Sequence, residues 1–118
     1  MALPILESYD PGRELLTVVT FSIPPGASDY VNSMWEIQQN PFRGDVVNSY
    51  NDGPPEPGKP LGPLCELERS SPAAALEPQQ SLTHVHQTFH FAGSKDALQS
   101  IARESLGAEL DKVADAFK

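Results

Sequence analysis

Leu15-Leu16-Thr17-Val18-Val19-Thr20-Phe21-Ser22-Ile23 is the stretch whose reading decides the fold class. On an extended chain Leu15, Thr17, Val19, Phe21 and Ile23 share one face. Leu16, Val18, Thr20 and Ser22 share the other. Successive side chains of a strand point to opposite faces, and β-branched and aromatic residues suit a pleated surface. Outward from this strand the punctuation is clear. Asp10-Pro11-Gly12 reads as a turn, with a strand expected over residues 3–9 before it. Pro24-Pro25-Gly26 ends the central strand.

The same reasoning places further strands at 30–38, 45–50, 64–69 and 82–91. Asn40-Pro41 breaks the first of these, because the residue before Pro is pushed away from regular structure. Residues 51–62 hold four Pro and three Gly, a density that no strand ladder survives, so a long loop is expected there. A turn is read at Glu77-Pro78-Gln79-Gln80. After Gly93 the period changes. Ser94 fits an N-cap with Asp96 in the first turn, Leu98, Ile101, Ala102 and Leu106 form a helical stripe, and Gly107 stands where a C-terminal cap belongs. Leu110, Val113, Ala114 and Phe117 make a second amphipathic turn. The expectation is an all-β antiparallel sandwich, one domain over 1–118, with a helical tail at 94–117.

Composition narrows the partners. The chain has 118 residues, enough for one core. Eight Lys+Arg stand against sixteen Asp+Glu, a net charge of −8. Nucleic acid and anionic membrane surfaces both need a basic patch, so neither is expected as a partner. Twelve Pro and eight Gly exclude a helical bundle. The single Cys excludes an internal disulfide and a zinc site built on several thiolates. Flanked by Leu64 in a strand, Cys65 is expected to be a small buried residue. No apolar run approaches a membrane span, and Met1-Ala2-Leu3-Pro4 lacks the basic and apolar regions of a signal peptide. A soluble protein of the cytoplasm or periplasm is expected.

Two sets of residues can carry chemistry. His84, His86 and His90 fall on one face of the last strand, together with Thr88. Such a face can line a sugar cleft, and two imidazoles at i and i+2 can also converge on one ion. Glu66 and Glu68 share a face of the preceding strand, with Leu64. Paired carboxyls serve as base and acid when their environments push their pKa values apart. If the two strands pair or lie close, carboxylate and imidazole form a proton-transfer pair. Trp35, Tyr30 and Tyr50 are candidate platforms for the C–H faces of a pyranose. Arg43, Asn48, Ser49, Asn51 and Asp52 are polar groups able to bind hydroxyls.

A family resemblance rests on Leu64-Cys65-Glu66-Leu67-Glu68, Ser71-Pro72, Leu76-Glu77-Pro78-Gln79-Gln80-Ser81 and Thr88-Phe89-His90-Phe91. These stretches resemble the C-terminal end of galactose mutarotase-like proteins (aldose epimerases). A closer likeness is to an uncharacterised bacterial branch of that superfamily. It runs through Asp29-Tyr30-Val31-Asn32-Ser33-Met34-Trp35-Glu36, Gly44-Asp45-Val46-Val47-Asn48-Ser49-Tyr50-Asn51-Asp52-Gly53-Pro54, Ser70-Ser71-Pro72-Ala73-Ala74-Ala75-Leu76 and Thr83-His84-Val85-His86. The resemblance implies part of a supersandwich of antiparallel strands with a cleft across one sheet, carbohydrate as the ligand, and no metal or other cofactor. In such enzymes a Glu takes the anomeric proton and a His protonates the ring oxygen. By position Glu68 matches that Glu, with Glu66 its rival. His84, His86 and His90 follow the Glu, so they do not match the acid. The turn at Glu77-Pro78-Gln79-Gln80 departs from the family's Pro-Gly-Glu. The chain corresponds to the last third of a supersandwich and lacks the acid His and the Arg that holds the sugar, so an incomplete catalytic set is expected.

Two other readings stand beside this one. A small cupin-type metal-binding β-barrel would use His84, His86, His90 and one of the two Glu. A non-catalytic interaction module would complete a partner's sheet or self-associate through exposed sheet edges.

Overall fold

The computed structural model describes residues 3–34, 36–51 and 64–116, the side chain of Asn51 excepted. Among these residues five strands precede two helices: β1 (Ile5–Asp10), β2 (Leu15–Phe21), β3 (Val47–Asn51), β4 (Cys65–Arg69), β5 (His86–Ala92), α1 (Lys95–Leu106) and α2 (Leu110–Asp115). All strand pairs are antiparallel. The protein is mostly β with a C-terminal helical part, as expected, and its open sheets do not form the barrel of the metal-binding alternative. No helix among the described residues is long and apolar enough to cross a membrane. The expected loop at 51–62 and Phe117 lie outside the described residues, apart from the Asn51 backbone.

The chain groups into two compact units, Met1–Ser22 with Val85–Lys118, and Ile23–His84. The first unit holds a three-stranded sheet in the order β1-β2-β5. The β1–β2 turn is closed by Asp10, whose Oδ1 accepts the N–H groups of Gly12 (2.9 Å) and Arg13 (3.1 Å). β2 is the central strand and alternates as expected. Leu16 (0% exposed) and Val18 (5%) face the helices and form a core with Leu98, Ala102 and Leu110. On the opposite face Val19 and Phe21 are buried too. β2 accordingly carries apolar residues on both faces, with Thr17 and Thr20 as the partly buried exceptions.

The helical part forms as read. The Ser94 side chain accepts the Ala97 N–H, and Gly107 adopts φ 69° at the C-cap of α1. A side chain would be strained at that φ, and glycine carries none. Gln99 clasps α2 to α1: its amide donates to the Ala108 carbonyl (2.8 Å) and accepts from the Leu110 N–H (2.9 Å). Arg103 binds Glu109 through two hydrogen bonds of 2.9 Å, and Lys95 pairs with Asp111.

The second unit holds the two-stranded sheet β3-β4. Here the sequence reading needs correction. None of the described residues of 30–38 lies in a strand; Tyr30 makes an isolated bridge with Arg43. Local polar side chains take the groups that a ladder would use. Asn32 Oδ1 accepts the Met34 N–H at 3.1 Å, and Gln38 Nε2 donates to the Met34 carbonyl at 2.8 Å. Such local bonds compete with sheet formation. Gly44 lies so close to residues 31–32 that an added Cβ would stand 2.1 Å from the Val31 carbonyl oxygen. β5 also starts at His86 and not near residue 82, because β2, its partner, ends at Phe21 before Pro24.

Candidate functional site

β3 and β4 bring the carboxyl pair to one surface. Their register places Asn48 opposite Glu68 and Tyr50 opposite Glu66. Directly opposed residues of an antiparallel pair share a face. Asn48, Tyr50, Glu66 and Glu68 therefore form a two-by-two patch, and Leu64 continues it. This patch floors a hollow of about 590 Å³, which Ser33 and Ser49 also line. Ser33 Oγ donates to Asn48 Oδ1 at 2.7 Å, fixing the amide so that its NH₂ group turns toward the Asp45 carbonyl at 3.4 Å. Tyr50 is 45% exposed, so part of its ring is open to a ligand.

The electrostatics of the pair are uneven. Glu66 holds its proton above the usual carboxylate range. The first cause is the side-chain hydrogen bond with Glu68, followed by desolvation and the Glu68 charge. A carboxyl that keeps its proton beside one that accepts from it is the arrangement that acid–base work requires. On the opposite face Arg69 is half-buried, and desolvation lowers its pKa against the pull of Glu68.

The other expected site residues are distributed differently. β4 pairs with β3 and β5 pairs with β2, so the acidic strand and the histidine strand belong to different sheets and do not pair. His86 and His90 share a face of β5 as expected. His86 Nε2 lies 3.0 Å from Thr88 Oγ1, and His90 Nδ1 lies 3.0 Å from Thr17 Oγ1. His84 lies outside β5 and in the other unit, so the three imidazoles are not on one strand. Among the described residues no group of three or more His, Cys, Asp or Glu could hold a metal ion. Tyr30 is 4% exposed and is a core residue of its unit, which removes it as a stacking platform. Cys65 is exposed and not buried: it is the first residue of β4, in a two-stranded sheet. Trp35, Asp52 and the Asn51 side chain lie outside the described residues.

Ser33 is the lining residue that the sequence reading passed over as a ligand group. Its only signal was a polar position in a segment read as a strand.

The chain belongs to a family of unknown function (DUF6786), whose description matches residues 1–117. Comparison with curated proteins and with solved structures finds no match.

Proposed function

We propose that this member of the DUF6786 family is a carbohydrate-binding, mutarotase-like β protein whose sugar seat is the β3–β4 hollow. The observation that carries the reading is the four-residue patch. A half-open Tyr50 ring adjoins two carboxyls, with an amide held by Ser33 beside them. A pyranose offers an apolar C–H face and a rim of hydroxyls. The ring of Tyr50 suits the first, and Asn48, Glu66 and Glu68 suit the second. Pockets of about 300–1,000 Å³ are the ordinary size for small ligands, and this hollow lies in that range.

In this reading Glu68 takes the proton of the anomeric hydroxyl and Glu66 is the neighbouring proton donor. The resemblance to aldose epimerases supports those roles. That family's acid is a His and its sugar clamp an Arg, and the resemblance carries neither role onto a residue of this chain. One acid–base group contributes roughly 10²–10⁴-fold to a rate. The chain alone is therefore proposed to bind sugar and to epimerise it poorly. His86 and His90 carry no role in this proposal.

The test is a titration of the labelled protein with galactose and with glucose, followed by amide and side-chain NMR. Shifts confined to Asn48, Tyr50, Glu66 and Glu68 are expected. Their absence with both sugars overturns the reading. Polarimetry of fresh α-galactose checks the second part. No clear acceleration of the drift is expected, and an acceleration abolished by Glu68→Gln would show a complete catalytic set.

A further inference from the structure

The sheet β1-β2-β5 has two edges, and they are guarded differently. Pro4 precedes β1, Glu7 and Asp10 lie within it, and both helices pack against it. Proline and charge are the usual means of blocking an edge. β5 reads His86-Gln87-Thr88-Phe89-His90-Phe91-Ala92 and has no Pro, Lys, Arg, Asp or Glu. Among the described strands its partner is β2.

Two backbone bonds at its ends fix which way its peptide groups face. Ser22 donates its N–H to the Val85 carbonyl at 2.9 Å, and Gly93 donates to the Glu14 carbonyl at 3.2 Å. Ladder bonds of an antiparallel pair recur at every second residue. Hence Gln87, Phe89 and Phe91 turn their N–H and C=O groups toward β2, while Thr88, His90 and Ala92 turn theirs away. Those last three residues are exposed, and among the described residues no backbone hydrogen bond on that side reaches them.

We propose that β5 is a self-pairing strand: two copies of the chain join β5 to β5, antiparallel, into one sheet in the order β1-β2-β5-β5-β2-β1. The geometry favours a second copy over an unrelated strand. A two-fold pair in which the outward groups of Thr88 meet those of His90 has a single register, centred on Phe89. In that register Thr88 of each copy faces His90 of the other, and their outward peptide groups exchange both hydrogen bonds. Phe89 then faces Phe89 of the second copy at a non-hydrogen-bonded position, where opposed Cα atoms stand about 4.5 Å apart and side chains are closest. Phe89 is 42% exposed and stacked on Phe91, with ring centroids 6.3 Å apart. The register that the backbone dictates is thus also the one that covers the exposed aromatic side chain. An uncharged strand meets its own copy without the repulsion that like charges opposite one another create.

Sedimentation equilibrium on the whole chain, over about 10⁻⁶ to 10⁻³ M, tests this across the span of weak to intermediate association. The mean mass should rise from one chain to two. Phe89→Glu sets two carboxylates face to face and should raise the dissociation constant more than about tenfold. Thr88→Pro removes an outward N–H and leaves the β2 ladder intact, so it should also favour the monomer. Amide exchange gives a readout without mutation. Thr88, His90 and Ala92 should become protected as concentration rises, while Gln87, Phe89 and Phe91 stay protected throughout. A monomer over the whole range overturns the proposal. So does a dimer in which the outward amides stay unprotected.

Discussion

Tyr50 stands directly across the ladder from Glu66, and Asn48 directly across from Glu68. The patch exists only in this register. A slip of one residue would send one strand's pair to the opposite face and separate the ring from the carboxyls.

That closeness sets the titration of Glu66. The hydrogen bond with Glu68, desolvation and the Glu68 charge all favour its protonated form in the folded chain. A group whose folded pKa is raised adds stability at low pH and loses it as pH rises through the raised value. Carboxyl NMR should therefore place the Glu66 midpoint above the usual carboxylate range. Glu68→Ala should bring it down and flatten the stability of the β3–β4 sheet against pH over that window. An unchanged midpoint in the variant would remove the pairing as its cause.

Gly44→Ala should disrupt the segment that carries Ser33. The new Cβ would meet backbone atoms, at 2.1 Å from the Val31 oxygen and 2.6 Å from the Asn32 nitrogen. The bonds Gly44 N–H to the Tyr30 carbonyl (2.8 Å) and Asn32 N–H to the Pro41 carbonyl (2.8 Å) should then open. Amide exchange at Asn32 and Gly44 reads this directly: both should lose protection while β2 keeps its own.

Gln99→Ala should loosen α2 from α1. It removes two part-buried hydrogen bonds and leaves the Ala108 carbonyl and the Leu110 N–H without their partner. At about 1 kcal/mol per bond, a loss of roughly 1–3 kcal/mol is expected in urea unfolding. Gln99→Glu should restore only the half of the clasp that accepts from Leu110.

Leu16→Ala probes the core of the first unit. The side chain is fully buried among Val18, Leu98, Ala102 and Leu110. Large-to-small changes at such sites cost about 2–5 kcal/mol. The urea midpoint should fall accordingly. The same substitution at the exposed Val113 should move it little.

What the sequence displays of this architecture follows from where the stabilising interactions are local. β2 is legible because its own side chains alternate. α1 is legible because Ser94 and Gly107 satisfy its ends from within one turn. Residues 30–38 also alternate, with polar groups on both faces, and their described residues form no strand, since Asn32 and Gln38 bind nearby backbone groups. A suitable pattern of side chains permits a strand, and a partner is what makes one. The length of β5 shows the same dependence: it ends where β2 ends, which nothing within residues 82–85 announces. Of the candidate site, the shared face of Glu66 and Glu68 follows from a period of two. Their meeting with Tyr50 and Asn48, and not with the histidine strand, depends on long-range register that spacing within β4 does not encode.

The sheet β1-β2-β5 is assembled from the two ends of the chain, with all of Ile23–His84 threaded between β2 and β5 as an insertion. Bringing Phe21 to His86 closes a ring of more than sixty residues. Ring closure costs entropy that grows with the logarithm of ring size, and distant pairings form slowly. The inserted unit shortens that ring if it folds first, so the order of events along the chain sets how quickly the central strand acquires its second neighbour. Until then β2 has only the β1 hairpin beside it, and the open side of the most apolar strand in the molecule is where a nascent chain is most exposed to mispairing.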